Sequence, residues 1–416
     1  MWELIKSNRR KSILLFSGMG VALILLGYLI GSTFYPDGGG VFGISIAIII
    51  WTVQSVVSVS AGSSLILSIS KAQEVTPAVH QQLFNVVEEM KIAAGLPATP
   101  KVYIINSEAL NAFATGKDLS NSAVAVTAGL LSKLNRDELQ GVIAHEISHI
   151  LNRDTKFMTY AAVMLGTIVI ISEIFIRGMF YSGGGRRYSS KSRGGGQAQV
   201  IILAVAIIFA ILAPIMARLL YFAISRKREY LADASGARLT RYPEGLASAL
   251  EKISQCTDEL QSANKVTAAM YIANPLKKKG MKLSDLTSTH PPISERIRIL
   301  RGMMHGHGAN FSDYQKSFSF VKRSSPIIIP VSGLADKNVI PLREAGEKLT
   351  GEFSAADEKR KMGNIMMAVN NYSFLTCQCG MKIKIPPGFG TNKPEVTCPK
   401  CGTVHKVSFA NKMTGG

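Results

Sequence analysis

His145, Glu146 and His149 stand together in the segment AHEISHILNRD, which is compatible with helix throughout. Residues four apart on a helix share a face, so both imidazoles aim at one point while Glu146 lies beside it. Two neutral nitrogen ligands and a carboxylate able to take a proton from metal-polarised water are what a zinc hydrolase needs. As ordinary surface residues of an amphipathic helix they would sit badly. Val142, Ile143, Ile147 and Ile150 surround them with apolar side chains, and an unpaired imidazole in such a setting is costly.

A catalytic zinc normally has three protein ligands and one open position, so a third ligand is required. The segment SRKREYLADASGA offers Glu229 and Asp233, again at helical spacing. One of these carboxylates could bind the metal while the other holds a ligand imidazole through its second nitrogen. Either could instead pair with Arg226 or Arg228. A second cluster lies near the C-terminus, where Cys377 and Cys379 form CxC and Cys398 and Cys401 follow after eighteen residues in CPKCG. Four thiolates close a tetrahedral site, so this second metal is read as a structural zinc in a small ribbon. A redox role for either pair is the weaker reading, and Cys256 stands alone, unlike a disulfide framework.

The elements that must hold these residues can be read around them. Helix is expected near Pro77 to Ala94 and strand at Lys101 to Ile105. A second strand is expected at Ser122 to Thr127, and a helix from Asn135, with Asn135 as N-cap and Glu138 completing a capping box. Soluble helix returns from Leu219 to about Gly306, 303–370 reads as linker or extension, and 371–410 as the ribbon.

Composition points to a membrane. The chain is 47% hydrophobic, and no charged residue occurs from Ser12 to Pro36 or from Gly38 to Ser70. Each run exceeds the roughly 20 residues that span a bilayer, so residues 1–70 are read as two transmembrane helices, the first a retained anchor. Lys6, Arg9, Arg10 and Lys11 precede the first run, which by the positive-inside rule puts the N-terminus and the 71–302 domain in the cytoplasm. Two weaker runs, within 157–217, flank the linker SGGGRRYSSKSRGGG and suggest a membrane hairpin, giving about four transmembrane helices. Its basic linker conflicts with that rule unless the hairpin is shallow or re-entrant. The net charge of +19 fits an anionic bilayer surface better than a nucleic acid. His149 and Glu229 lie close in sequence to the hairpin, which on continuous helices places the metal roughly 12 to 16 Å from it.

Five ordered segments carry a family resemblance: NAFATG at Asn111 to Gly116, AVAVTAGLL at Ala123 to Leu131, AHEISHILNRD at Ala144 to Asp154, SRKREYLADASGA at Ser225 to Ala237, and STHPPISERIRIL at Ser288 to Leu300. Over residues 1–302 the sequence resembles the HtpX-type membrane metallopeptidases, relatives of the CAAX prenyl proteases in the gluzincin group. The resemblance implies an α+β, mainly helical zincin-like domain with catalytic zinc on His145, His149 and Glu229 and with Glu146 as general base. Asp233 would be partner to a ligand histidine, His290 would hydrogen-bond the oxyanion, and Arg296 would fix the Asp233 region. Substrate would bind extended beside Asn111 and the edge strand Ala123, Val124, Ala125 and Val126. It also implies membrane or unfolded protein substrates at a prokaryotic plasma membrane, in membrane-protein quality control. The ribbon lies beyond the ordinary family pattern, and its Lys residues permit a protein or a nucleic-acid partner, the protein being the one expected. The competing reading is a catalytically silent scaffold with structural zinc sites, which would have no use for Glu146.

Overall fold

The computed structural model describes residues 2–34, 37–182, 204, 207, 208, 211, 215, 226–263, 267–275, 291–306, 308–323, 327–335, 340–346, 354–389 and 395–406. The chain opens with α1 (Trp2–Phe34), α2 (Gly39–Ser60) and the short α3 (Gly62–Ile69). Among the described residues two helices are long and apolar enough to cross a membrane, at Phe16–Thr33 and Gly39–Ser60. Beyond them, a four-stranded sheet holds β1 (Ala72–Glu74), β2 (Lys101–Ile105), β3 (Ala112–Gly116) and β4 (Ser122–Thr127) in the order β1-β2-β4-β3. β2 and β4 are parallel, and both outer strands pair antiparallel.

This order corrects the expectation that Ala123 to Val126 offers a free edge. β4 pairs with β2 along Ala123 to Thr127 and with β3 along Ser122 to Val126, so neither of its edges is open. Val124 and Val126 face one core while Ala123 and Ala125 face another, which includes Ile66, Leu67, Met158 and Tyr271. A strand that is apolar at every position is buried on both faces, which is the signature of an interior strand rather than an edge. The sheet's outer strands are β1 and β3, and β3 has no counterpart among the expected strands.

The helix that carries the histidines, α6 (Arg136–Leu151), starts where the sequence indicates. Asn135 Oδ1 accepts from the Glu138 amide at 2.8 Å, and Glu138 Oε2 accepts from the Asn135 amide at 2.9 Å. It packs on β3 and β4 and on α4 (Gln81–Ala94), which His80 caps, and it follows the short α5 (Ala128–Lys133). Only Asn152 and Arg153 separate α6 from α7 (Asp154–Ser182), the apolar helix that begins the expected hairpin. The second run, at 194–217, lies largely outside the described residues.

The chain returns as α8, described over 226–240, followed by α9 (Pro243–Gln255), a 3₁₀ turn at Ala268–Met270 and α10 (Ile293–Met303). Beyond them come α11 (Phe311–Lys322), α12 (Val331–Leu334) and α13 (Ala355–Val369); α11 and α13, with Ile329 just before α12, add Phe311, Tyr314, Phe318, Met362, Ile365 and Val369 to the core that holds α6 and α9. Two hairpins end the described chain: β5 (Ser373–Thr376) with β6 (Lys382–Ile385), and β7 (Glu395–Thr397) with β8 (Val404–Lys406).

Candidate metal centre

α6 and α8 lie side by side and antiparallel, and Gly236 permits their close approach. A Cβ on Gly236 would lie 3.2 Å from the His145 nitrogen, tight enough to push the helices apart. At this contact Nε2 of His145 lies 3.6 Å from Glu229 Oε2, and Nε2 of His149 lies 3.4 Å from Glu229 Oε1. The ligating atoms of the three residues lie within 4.8 Å of one another. Ligands at 2.0–2.1 Å from a tetrahedral zinc are about 3.3–3.4 Å apart, so the two distances from the histidines to Glu229 are near what that ion needs once the carboxylate offers one oxygen to it.

Each imidazole turns its other nitrogen to a carboxylate. His145 Nδ1 lies 3.0 Å from Asp233 Oδ1, and His149 Nδ1 lies 3.3 Å from Asp154 Oδ2. Such contacts fix the tautomer that leaves Nε2 free to bind a metal. Arg296 grips Asp233 with both Nε and Nη2, at 2.8 and 2.7 Å, and donates Nη1 to the Ile272 carbonyl at 3.0 Å. Arg228 lies over the Phe157 ring, 3.7 Å from its centroid, with Nε 3.5 Å from Asp154. Tyr314 of α11, wholly buried, is close enough to Asp233 and Arg296 to feel both charges.

The electrostatics suit a cation. Burial opposes charge on His149, but Asp154 and Glu229 outweigh it and push its pKa up to about 10. His145 is raised likewise, burial being outweighed by Asp233 and Glu229. The group thus favours positive charge between its carboxylates, which a divalent ion would supply on displacing protons. For Asp233, burial is outweighed by the Arg296 charge, and its pKa is lowered. Glu146 is different: its pKa is raised, by burial first and against the pull of His145 and His149. Both of its carboxylate oxygens are buried, and among the described residues neither makes a well-formed hydrogen bond, although the Ala114 amide of β3 is near enough to offset part of the rise.

Of the expected site residues, the structure brings together His145, Glu146, His149, Glu229, Asp233 and Arg296. Asn111 is buried, and its side chain ties the start of β3 to the Ala273 loop: Nδ2 donates to the Ala273 carbonyl at 3.0 Å and Oδ1 accepts from the Ala112 amide at 3.1 Å. His290 lies outside the described residues. Asp154 was missed, although it stands in the same AHEISHILNRD segment, five residues after His149. Its distance fits no α-helical face, and only the break at Asn152 and Arg153, where Arg153 takes φ 59°, turns it back toward the ring.

The cysteines form a separate cluster. Cys377 and Cys379 sit in the turn between β5 and β6, and Cys398 and Cys401 in the turn between β7 and β8. All are free thiols, with Sγ atoms 3.4 Å apart for Cys377 and Cys401 and 3.6 Å apart for Cys379 and Cys398. Thiolates at about 2.3 Å from a tetrahedral zinc would be roughly 3.8 Å apart, so these two pairs need to open by only a few tenths of an ångström. Gly380 and Gly402, at φ 81° and 75°, close the two turns in a conformation that glycine adopts without strain. The Thr403 hydroxyl and amide lower the Cys401 pKa to about 6.

Comparison with known proteins agrees with this geometry. The sequence model of Peptidase family M48 matches residues 77–304. A "Protease HtpX homolog" of Dictyoglomus turgidum is 48% identical over 302 residues, covering 73% of this chain and 94% of the relative. Another, of Ligilactobacillus salivarius, is 40% identical over 303 residues, covering 73% of this chain and the whole of the relative. The crystal structure of S. mikatae Ste24p aligns with a TM-score of 0.37 at 20% identity, over 72% of this chain and 67% of that one, too slight a likeness to fix the fold. The cysteine cluster falls beyond the matched family domain. With the metal-ligating triad inside that domain and relatives matched over nearly their whole length, the chain belongs to peptidase family M48 and is a metalloprotease.

Proposed function

We propose that the chain is an integral-membrane zinc endopeptidase in which His145, His149 and Glu229 hold the metal and Glu146 is the general base. The observation that carries this reading is the buried Glu146 carboxylate, paired with no side chain, beside three metal-ligating side chains. A structural metal site has no use for such a group. Bound there, zinc would supply Lewis acidity toward a substrate carbonyl and lower the pKa of a water to about 7. Glu146, its own pKa lifted by burial, takes a proton from the attacking water and returns it to the leaving amine. Asp233 and Asp154 hold the imidazoles in register, and Arg296 keeps Asp233 ionised. His290 is assigned, on the family resemblance, to steady the developing oxyanion.

Substrate binds as an extended strand, and its place is along β3 rather than β4, because β3 is the outer strand that packs on α6. Backbone pairing gives affinity with little sequence preference, which suits unfolded segments and loops of membrane proteins. α7 begins five residues after His149, so the site sits at the foot of an apolar helix, on the cytoplasmic side of the plasma membrane by the charge pattern. The four cysteines hold a second, structural zinc in a ribbon that offers a protein-binding module. Glu146→Gln tests the central assignment: it should abolish proteolysis, self-cleavage included, while both metals stay bound. Retained cleavage would remove Glu146 from the role of base. Deleting residues 157–217 should impair cleavage of a membrane substrate more than cleavage of a soluble unfolded protein, and equal rates on both would refute the juxtamembrane assignment.

A further inference from the structure

The metal ligands come from two helices that the chain does not join directly. α6 brings His145 and His149, α8 brings Glu229, and α7 and the residues up to 225 stand between them in the chain. Their relative placement therefore depends on contacts along the helix pair. The antiparallel register can be followed at three levels: His149 beside Glu229, His145 beside Asp233, and, at the far end, the first turn of α6 beside the last residue of α8.

That far end is held by a segment from outside the matched family domain. Residues 340–346 cross it, and Arg343 reaches both helices at once. Its Nη2 donates to Asp137 Oδ1 at 2.7 Å and to Gln140 Oε1 at 2.5 Å, both on the first turns of α6. Its Nε donates to the Thr240 carbonyl at 2.9 Å, and its backbone amide donates to the Arg241 carbonyl at 2.9 Å. The guanidinium lies 4.9 Å from the centroid of the Tyr242 ring. Gly346 then donates its amide to the other Asp137 oxygen at 2.7 Å. One planar cation thus answers an acidic side chain at a helix N-terminus and a carbonyl left over at a helix C-terminus, where a cation is electrostatically favoured. A lysine, with a single ammonium, could not span both helices in this way.

We propose that Arg343 is a positioning residue for the metal centre, with the 340–346 strap pinning α6 to α8 so that the histidines and Glu229 keep their spacing. The proposal rests on the reading of His145, His149 and Glu229 as metal ligands. It makes part of the chain beyond the family domain a working component of the peptidase. α11 supports the same region, through Lys322 Nζ on Glu295 at 2.8 Å and Phe318 edge-on to Tyr230, whose hydroxyl also bonds Glu295.

The test is the rate at which zinc leaves the full-length, zinc-loaded protein for an excess of chelator, well below the melting temperature, with the ribbon zinc as an internal standard. Arg343→Gln should release the peptidase zinc about 10-fold faster, at the low end of what loss of an outer-shell partner does to a metal site, and leave the ribbon rate unchanged. Arg343→Lys should fall between the two. Arg301→Gln, which breaks a multivalent ion pair between α9 and α10, should release zinc as the wild type does. The proposal is overturned if Arg343→Gln matches the wild type, or if Arg301→Gln accelerates release as much. The metal assignment would fail separately, and visibly, if His149→Gln removed no zinc from the wild-type complement.

Discussion

Replacing Arg296 with Met tests whether the site is organised by a buried charge pair. Arg296 is wholly buried and ranks first by volume among the fully buried side chains. Met keeps most of its length and removes its charge. The change strips Asp233 of two charge-assisted hydrogen bonds and the Ile272 carbonyl of one. Removing one partner of a buried ion pair costs about 3–5 kcal/mol, because the remaining charge stays buried. An orphaned carbonyl adds roughly 1 kcal/mol. For a unit of the size of the matched domain, each kcal/mol lowers the melting temperature by about 2–4 °C, so the ion-pair loss alone predicts a fall of roughly 6–20 °C. Thermal melting of the detergent-solubilised full chain measures it. Arg301→Gln is the control: Arg301 bonds Glu244 through Nε and Nη2 at 3.1 and 2.9 Å and Glu251 at 2.7 Å, yet its side chain is 41% exposed. Solvent screens that pair, and no resolvable shift is expected. If the two variants melt alike, burial is not what gives Arg296 its weight and the reasoning fails.

Asp154→Asn keeps the shape beside His149 but removes the charge, and it should weaken peptidase-site zinc binding about 10- to 100-fold in a chelator competition; unchanged affinity would mean the His149 contact is incidental. His80 caps α4, and burial, with the Lys361 charge second, holds its pKa below the ordinary value. As pH falls below about 6.5 the unfolded chain takes up a proton that the folded one resists, so this stability is full above that pH and declines on acidification. His80→Asn retains a capping side chain and should flatten that part of the slope in melts from about pH 7.5 to 5.5, whereas identical slopes would count against it. Cys398→Ser should cost one zinc per chain and open the hairpins to trypsin at Lys382 and Lys384. The main melting transition should stay in place, because the ribbon has its own small core.

What was legible in the sequence followed from local rules. The capping box at Asn135 and Glu138 and the spacing of His145 and His149 depend only on helical geometry, and both sites are formed. Glu229 and Asp233 were legible as a pair, but assigning one to the metal and the other to His145 took the family resemblance, since spacing treats the two carboxylates alike. What was not legible depended on contacts distant in sequence. β3 is short, and its two alanines and a glycine dilute the strand preference of Phe113 and Thr115. Without it, the apolar β4 was read as an edge. Arg343 lies in an irregular segment with no periodicity, and only folding brings it to Asp137 and Thr240.

The most direct test of the metal centre is a zinc-edge anomalous map from crystals of the full-length protein. The account predicts two peaks. One would be bonded by Nε2 of His145, Nε2 of His149 and a Glu229 oxygen at about 2.0–2.2 Å, with Glu146 outside bonding distance, and the other by the four cysteine sulfurs at about 2.3 Å. A peak bonded by Asp233 or Asp154 in place of Glu229, or no peak between the two histidines, would contradict it.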